Sequence, residues 1–175
     1  SIEDAKRRLL KPEGKIIPSS GNIIISLFGG NRIGEYVSVE DVCGFDLSSF
    51  NEITSKRRNL RANEYDVELL SDEVDAFCFN FQNVDYFKPE HKTLRVPIRK
   101  AGRCHGIIQW IRLQMDDSTS FENHPSVKNS ASGWTHTLYI FDEPIDVTPS
   151  QVALVLAGHC RTVPWFSLES VEASA

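Results

Sequence analysis

The chain has 175 residues, of which 41% are hydrophobic and 25% charged, enough for one domain with a sizeable core and unlike an intrinsically disordered chain. The formal net charge of −5 argues against non-specific nucleic-acid binding and leaves cationic partners open. No apolar run approaches the roughly 20 residues that a membrane-spanning helix requires. Four widely spaced cysteines, Cys43, Cys78, Cys104 and Cys160, read as buried thiols of a cytosolic protein rather than as a disulfide frame. The opening residues are charged and helical, without the apolar core of a signal peptide. The expectation is a cytoplasmic, soluble domain with no membrane and no nucleic-acid partner.

In chain order, a Ser1-x-x-Asp4 box starts a helix whose apolar residues Ile2, Ala5, Leu9 and Leu10 suit one face. Pro12 and Gly14 stop it, and Lys15–Pro18 reads as a short strand. "NIIISLF" (Asn22–Phe28) is a β-branched strand, and "FGGNRIG" (Phe28–Gly34) reads as a hairpin leading into a second strand at Glu35–Glu40. The segment Phe45–Leu70 is charged and weakly periodic, with a short helix expected after Asp46 and then a strand. An excursion of that length is usually functional or disordered rather than a simple turn.

"FCFNF" places Phe77, Phe79 and Phe81 on one face, and in "TLRVPI" the missing N–H of Pro97 suggests an edge or a bulge. Arg103–Met115 is the longest strand candidate. Trp134–Phe141, Val152–Ala157 and Pro164–Glu169 complete a set of about eight strands, and the last residues, "VEASA", are expected to fray. The pattern predicts a mostly β, barrel-like antiparallel domain with a short N-terminal helix and a helical or irregular arm at about residues 45–70.

Chemical constellations are sparse. Cys104-His105 and His159-Cys160 are adjacent pairs, and neighbours on a strand point to opposite faces, so neither pair chelates a metal from one face. No G-x-S-x-G or Cys–His signature is present. The glycines Gly29, Gly30 and Gly34 do not follow dinucleotide-binding spacing. Lys56, Arg57, Arg58 and Arg61, followed by the acidic stretch from Glu64 to Asp75, read as a solvated face. Asp116-Asp117 falls in a turn, and Glu64, Asp66 and Glu68 on a solvent-facing strand. The sequence holds no self-sufficient active site: no catalytic residue, metal site or cofactor site is expected in this chain.

"LLKPEGKIIPS" resembles the junction in protein arginine methyltransferases where the S-adenosylmethionine domain ends and the β-barrel begins, with Glu13 in place of a glycine. "CGFDLSSF" (Cys43–Phe50) is similar to the segment leading into that family's dimerisation arm, and "CHGIIQWIRLQM" to its long barrel strand. "SGWTHTLYIFDEPIDV" resembles the family's Thr-His-Trp loop and following strand. Trp134 and Thr137 match, while Ser132 and Gly133 replace Thr and His.

The resemblance implies a divergent member, with residues 1–14 ending a preceding cofactor domain and residues 15–175 forming the barrel. It implies Trp134, His136 and Thr137 in a cleft for a protein or peptide substrate, and Phe45, Phe50, Leu60 and Tyr65 in an arm that makes a homodimer of the full-length parent. S-adenosylmethionine and the carboxylates that grip the guanidinium would then belong to the parent, outside this chain. The alternative is a non-catalytic β-barrel module that binds proteins or peptides.

Overall fold

"NIIISLF" is apolar on both faces because both faces of its strand are covered. In the computed structural model, which describes residues 2–83, 86–127 and 133–174, this strand is β1 (Ser20–Gly29). Ile25 and Leu27 enter one core, Ile24 and Phe28 a second, and none of the four is more than 1% exposed. A strand covered on both sides loses the alternation of a half-buried one. Each such side chain contributes about 1.5–3 kcal/mol by leaving water.

One side of β1 pairs with β8 (Gly102–Gln114), which is followed outward by β10 (His136–Val147) and β4 (Arg57–Leu60). On its other side β1 pairs first with β6 (Val74–Asn80) and then, at its end, with β5 (Glu68–Leu69). The short strand β9 (Ser120–Glu122) folds back on the end of β8. A second sheet has the order β12 (Pro164–Ala173), β11 (Gln151–His159), β7 (Glu90–Pro97). β7 is an edge, where the missing N–H of Pro97 does least harm. Every pairing is antiparallel, and one bridge, Ser71–Ile98, lies between the strands of the two sheets. The first core collects Ile25, Leu27, Phe77 and Ile107 with Val96, Ala153, Val155 and Phe166. The expected mostly β antiparallel architecture is therefore present, built from two sheets rather than one closed ladder.

The second core departs from the sequence reading. The residues read as a hairpin and a strand form helix α2 (Asn31–Val37). Gly30 turns the chain with φ at +118°, a value that favours glycine. Two carboxylate oxygens of Asp66 then accept the amides of Arg32 (3.1 Å) and Ile33 (3.0 Å), satisfying donors that no intrahelical carbonyl can reach. Ile33 and Val37, one turn apart, pack beneath the helix on Ile24, Phe28, Ile108, Trp110 and Leu138. Gly34 lets the helix cross closely over His105, whose Nε2 would lie 2.6 Å from a Cβ at that position. Asp66 is thus a helix clamp rather than a solvent-facing strand residue.

Other corrections follow from where backbone hydrogen bonds go. Lys15–Pro18 is not a strand: the Ile16 amide donates to the Gln82 side-chain carbonyl (2.8 Å), whose own amide reaches the Gly14 carbonyl (3.1 Å). Helix α1 (Ile2–Leu9) forms, but none of its residues is buried. It is held through polar contacts instead: Lys6 to the Gln82 carbonyl (2.7 Å), and Glu3 to the Phe87 amide and Arg161. Ser1 of the capping box lies outside the described residues, and Asp4 pairs with Arg7 and Arg8. The end of the chain does not fray at Val171, because β12 runs to Ala173 and the Ser174 amide donates to the Ser150 carbonyl at 2.7 Å. Only Cys104 among the four free thiols is buried, and burial pushes it up to about 11. Cys43, Cys78 and Cys160 are exposed.

In the arm region, the expected short helix is α3 (Phe50–Ile53) and the expected strand is β4. A separate hairpin, β2 (Asp41–Val42) with β3 (Phe45–Asp46), precedes them.

The Asp66 clamp carries a test. Asp66→Ala should lower the urea midpoint by an amount equivalent to about 1 kcal/mol, the usual value of a helix cap, with little change in slope. Partial desolvation raises the Asp66 carboxyl, but the amides of Arg32 and Ile33 outweigh it, and its value falls below the ordinary 3.8. The contribution is therefore fully present above that pH and fades as pH drops through the lowered folded value. Stability curves of wild type and Asp66→Ala should converge in acid.

Candidate functional site

The residues singled out from "SGWTHT" lie at the start of β10. Trp134 is 55% exposed, too open for the core aromatic that its size alone suggests. His136 and Thr137 are buried and pair in register with Leu60 and Asn59 of β4. The Thr137 hydroxyl donates to the Asn59 side-chain carbonyl at 2.9 Å. The His136 Nδ1 accepts the Ala62 amide at 3.0 Å, and its Nε2 lies 2.7 Å from the Asn123 carbonyl. An amide can only donate and a carbonyl only accept, so the imidazole is the neutral Nε2–H tautomer. Burial pushes its pKa below the ordinary 6.5 against opposing backbone hydrogen bonds.

Asn123 links this anchor to a charged cluster that the sequence reading missed. Its side-chain oxygen accepts the Ile111 amide (2.9 Å), continuing the β8–β9 pairing, and its amide reaches the Thr135 carbonyl at 3.5 Å. On either side of it, Glu122 and His124 point into the cluster. Glu122 sits opposite Arg112 in the β8–β9 register and accepts two guanidinium hydrogen bonds (2.9 and 3.0 Å) and one from the Trp110 indole (2.7 Å). Burial raises the Glu122 carboxyl, but Arg112 and Trp110 together hold it below its usual range. Glu73 and Asp75 each approach Arg112 to 3.8 Å. His124 pairs with Glu73 (2.8 Å) while its ring meets Trp110 edge-on. The signal was "FENH" (Phe121–His124) after the turn at Asp116-Asp117, a polar return strand beside the longest apolar one. The turn itself is as expected, with Asp116 accepting the Ser118 and Thr119 amides.

Chemically, the cluster is an internal carboxylate–guanidinium network that fixes β9 against β8. Residues Lys128–Ser132, including Ser132 of the loop motif, lie outside the described residues.

The arm candidates separate. Phe45 and Phe50 are 70% and 55% exposed, whereas Leu60 is buried in the second core. Tyr65 is half-buried and packs its ring against Tyr36 at a tilt of 48°, with centroids 4.8 Å apart.

The turn Gly29-Gly30 into α2 is a strand–turn–helix, the local shape that binds phosphate or dinucleotide groups elsewhere. It does not fit such a group here. The Asp66 carboxylate occupies the Arg32 and Ile33 amides, and a Cβ at Gly30 would run into the Asp66 carbonyl. Among the described residues no group of three or more His, Cys, Asp or Glu side chains is placed to hold a metal ion. No described helix is long and apolar enough to cross a membrane.

No family model matches the chain. An arginine N(omega)-methyltransferase of Streptomyces achromogenes subsp. streptozoticus is 22% identical over 159 residues, covering 90% of this chain and 43% of that protein. A probable protein arginine N-methyltransferase 3 of Arabidopsis thaliana is 28% identical over 174 residues, covering 92% of this chain and 28% of that protein. Protein arginine N-methyltransferase 7 of Caenorhabditis briggsae is 23% identical over 185 residues, covering 95% and 28% respectively. The chain spans less than half the length of each of these relatives. Over nearly its whole length, the chain is therefore similar to a part of the protein arginine N-methyltransferases, the family to which the junction, arm and loop motifs pointed.

Proposed function

We propose that this chain is the substrate-cleft and dimerisation domain of an S-adenosylmethionine-dependent protein arginine N-methyltransferase. The observation that carries this reading is the match to arginine N-methyltransferases over at least 90% of the chain but less than half of each relative. The methyl donor and the carboxylates that orient the guanidinium belong, on this reading, to the remainder of the parent. This chain supplies a wall. Trp134 faces the substrate, while His136 and Thr137 act behind it as buried anchors. The hairpin and short helix carrying Phe45 and Phe50 form the surface that meets a second subunit. Leu60 supports that surface from within the core rather than touching a partner.

Trp134→Ala in the full-length parent should cut methyl transfer severalfold while leaving the melting temperature nearly unchanged, since an exposed side chain removes little packing. Equal turnover by the variant and the parent would remove Trp134 from the cleft. Replacing Phe45 and Phe50 together by Asp should convert the parent from dimer to monomer in sedimentation, and an unchanged mass would exclude this surface from the interface. Titrating this chain alone with S-adenosylmethionine in a calorimeter should give no saturable heat, with the full-length parent as positive control. Saturable binding to the chain alone would overturn the division of labour proposed here.

A further inference from the structure

The His136 imidazole joins three pieces of chain distant in sequence. Its Nδ1 takes the amide of Ala62, just past β4 where the chain returns from the arm. Its Nε2–H reaches the Asn123 carbonyl beside the Glu122–Arg112 pair. Its own backbone begins β10 two residues after Trp134, and Asn123 also reaches the Thr135 carbonyl in between. The side chain is buried, with only 3% of the residue exposed, so water does not readily replace either bond.

We propose that His136 is a positioning residue that holds the start of β10, beside Trp134, and the segment returning from the arm in one arrangement, and that a proton on Nδ1 breaks the tie to Ala62 and so loosens β4 from the start of β10, with which it pairs. The proposal rests on the reading of Trp134 as substrate-facing. In the neutral tautomer both ring nitrogens are matched, one accepting and one donating. Protonation turns Nδ1 into a donor facing the Ala62 N–H, and the bond to the return segment is lost.

The surrounding charges offer no compensation. Arg61 and Glu64 pair with each other at 3.5 Å. Arg57 and Arg58 reach the Tyr139 ring and the Tyr36 carbonyl. Glu122 is committed to Arg112 and Trp110, and His124 to Glu73. Because burial depresses the folded value below 6.5, the tie is complete above that pH and weakens as pH falls toward the depressed value.

The test is hydrogen exchange of the full-length parent between about pH 8 and about pH 5.5, corrected for intrinsic rates. Segments 57–62 and 133–137 should lose protection together by about three- to tenfold, the worth of one hydrogen bond. In His136→Gln, whose amide can accept from Ala62 and donate to Asn123 without titrating, both segments should be insensitive to pH. The Michaelis constant for a peptide substrate should rise with falling pH in the wild type more than turnover changes, and this dependence should flatten in His136→Gln. If only one segment responds, or if His136→Gln shows the wild-type pH response, the proposal fails.

Should the variant not fold, the wild-type Ala62 amide resonance must follow the His136 titration, and a flat Ala62 signal is equally fatal. The exchange and resonance readouts need no enzymatic activity. Coupled exchange in an inactive parent would sink the methyltransferase reading alone, and uncoupled exchange in an active one would sink this proposal alone.

Discussion

Double coverage of β1 and its neighbour β8 is the constraint from which the rest of the structure follows. Ile24, Phe28, Ile108 and Trp110 form an apolar surface on the outer side of the large sheet, and the second sheet shields only the inner one. Something must cover the outer side, and the chain uses α2 together with the return segment that carries Leu60 and Ala62. The Asp66 clamp at the start of α2 and the Ala62–His136 bond are the polar fastenings of that cover. The residues read as functional thus sit on the rim of a core whose closure is itself a structural requirement.

A local slip in the ladder decides which residues reach that rim. Phe28 is opposite Gly106, and Gly29 is opposite Cys104, so the register skips His105. A bulge of this kind changes which face a side chain takes. Cys104 enters the inner core, while His105 turns to the outer side against Gly34. There its Nδ1 is buried without a hydrogen-bond partner among the described residues, and desolvation lowers its pKa. The adjacent Cys–His pair divides between two environments, as the opposite-face rule requires.

Polar groups near the second core are resolved by pairing rather than by exposure. The Trp110 ring is fully packed, yet its indole N–H needs an acceptor, and Glu122 supplies one while holding Arg112. Losing that carboxylate would take the acceptor from three N–H donors, two on Arg112 and one on Trp110, a larger penalty than the modest net worth of the bonds themselves. The same logic explains why Asn123 serves a backbone amide, the Thr135 carbonyl and the His136 imidazole at once.

The sequence by itself determined the long strands, because their signal is local, while it misread Lys15–Pro18 and Glu35–Glu40 as strands. β-Branched and aromatic runs, the Phe77/Phe79 alternation and the long stretch Arg103–Met115 need no distant partner to be read. It also carried the family resemblance, which rests on the order and spacing of short motifs. Only the tertiary structure decided α2, since its clamp comes from Asp66, 33 positions beyond Ile33. Only the structure separated exposed Phe45 and Phe50 from buried Leu60, because charged neighbours on a short edge strand conceal which side faces the core. The anchor formed by Ala62, Asn123 and His136 was equally hidden. Its hydrogen bonds span 74 and 13 positions, and no periodicity records a bond between a backbone amide and an imidazole that the fold alone brings together.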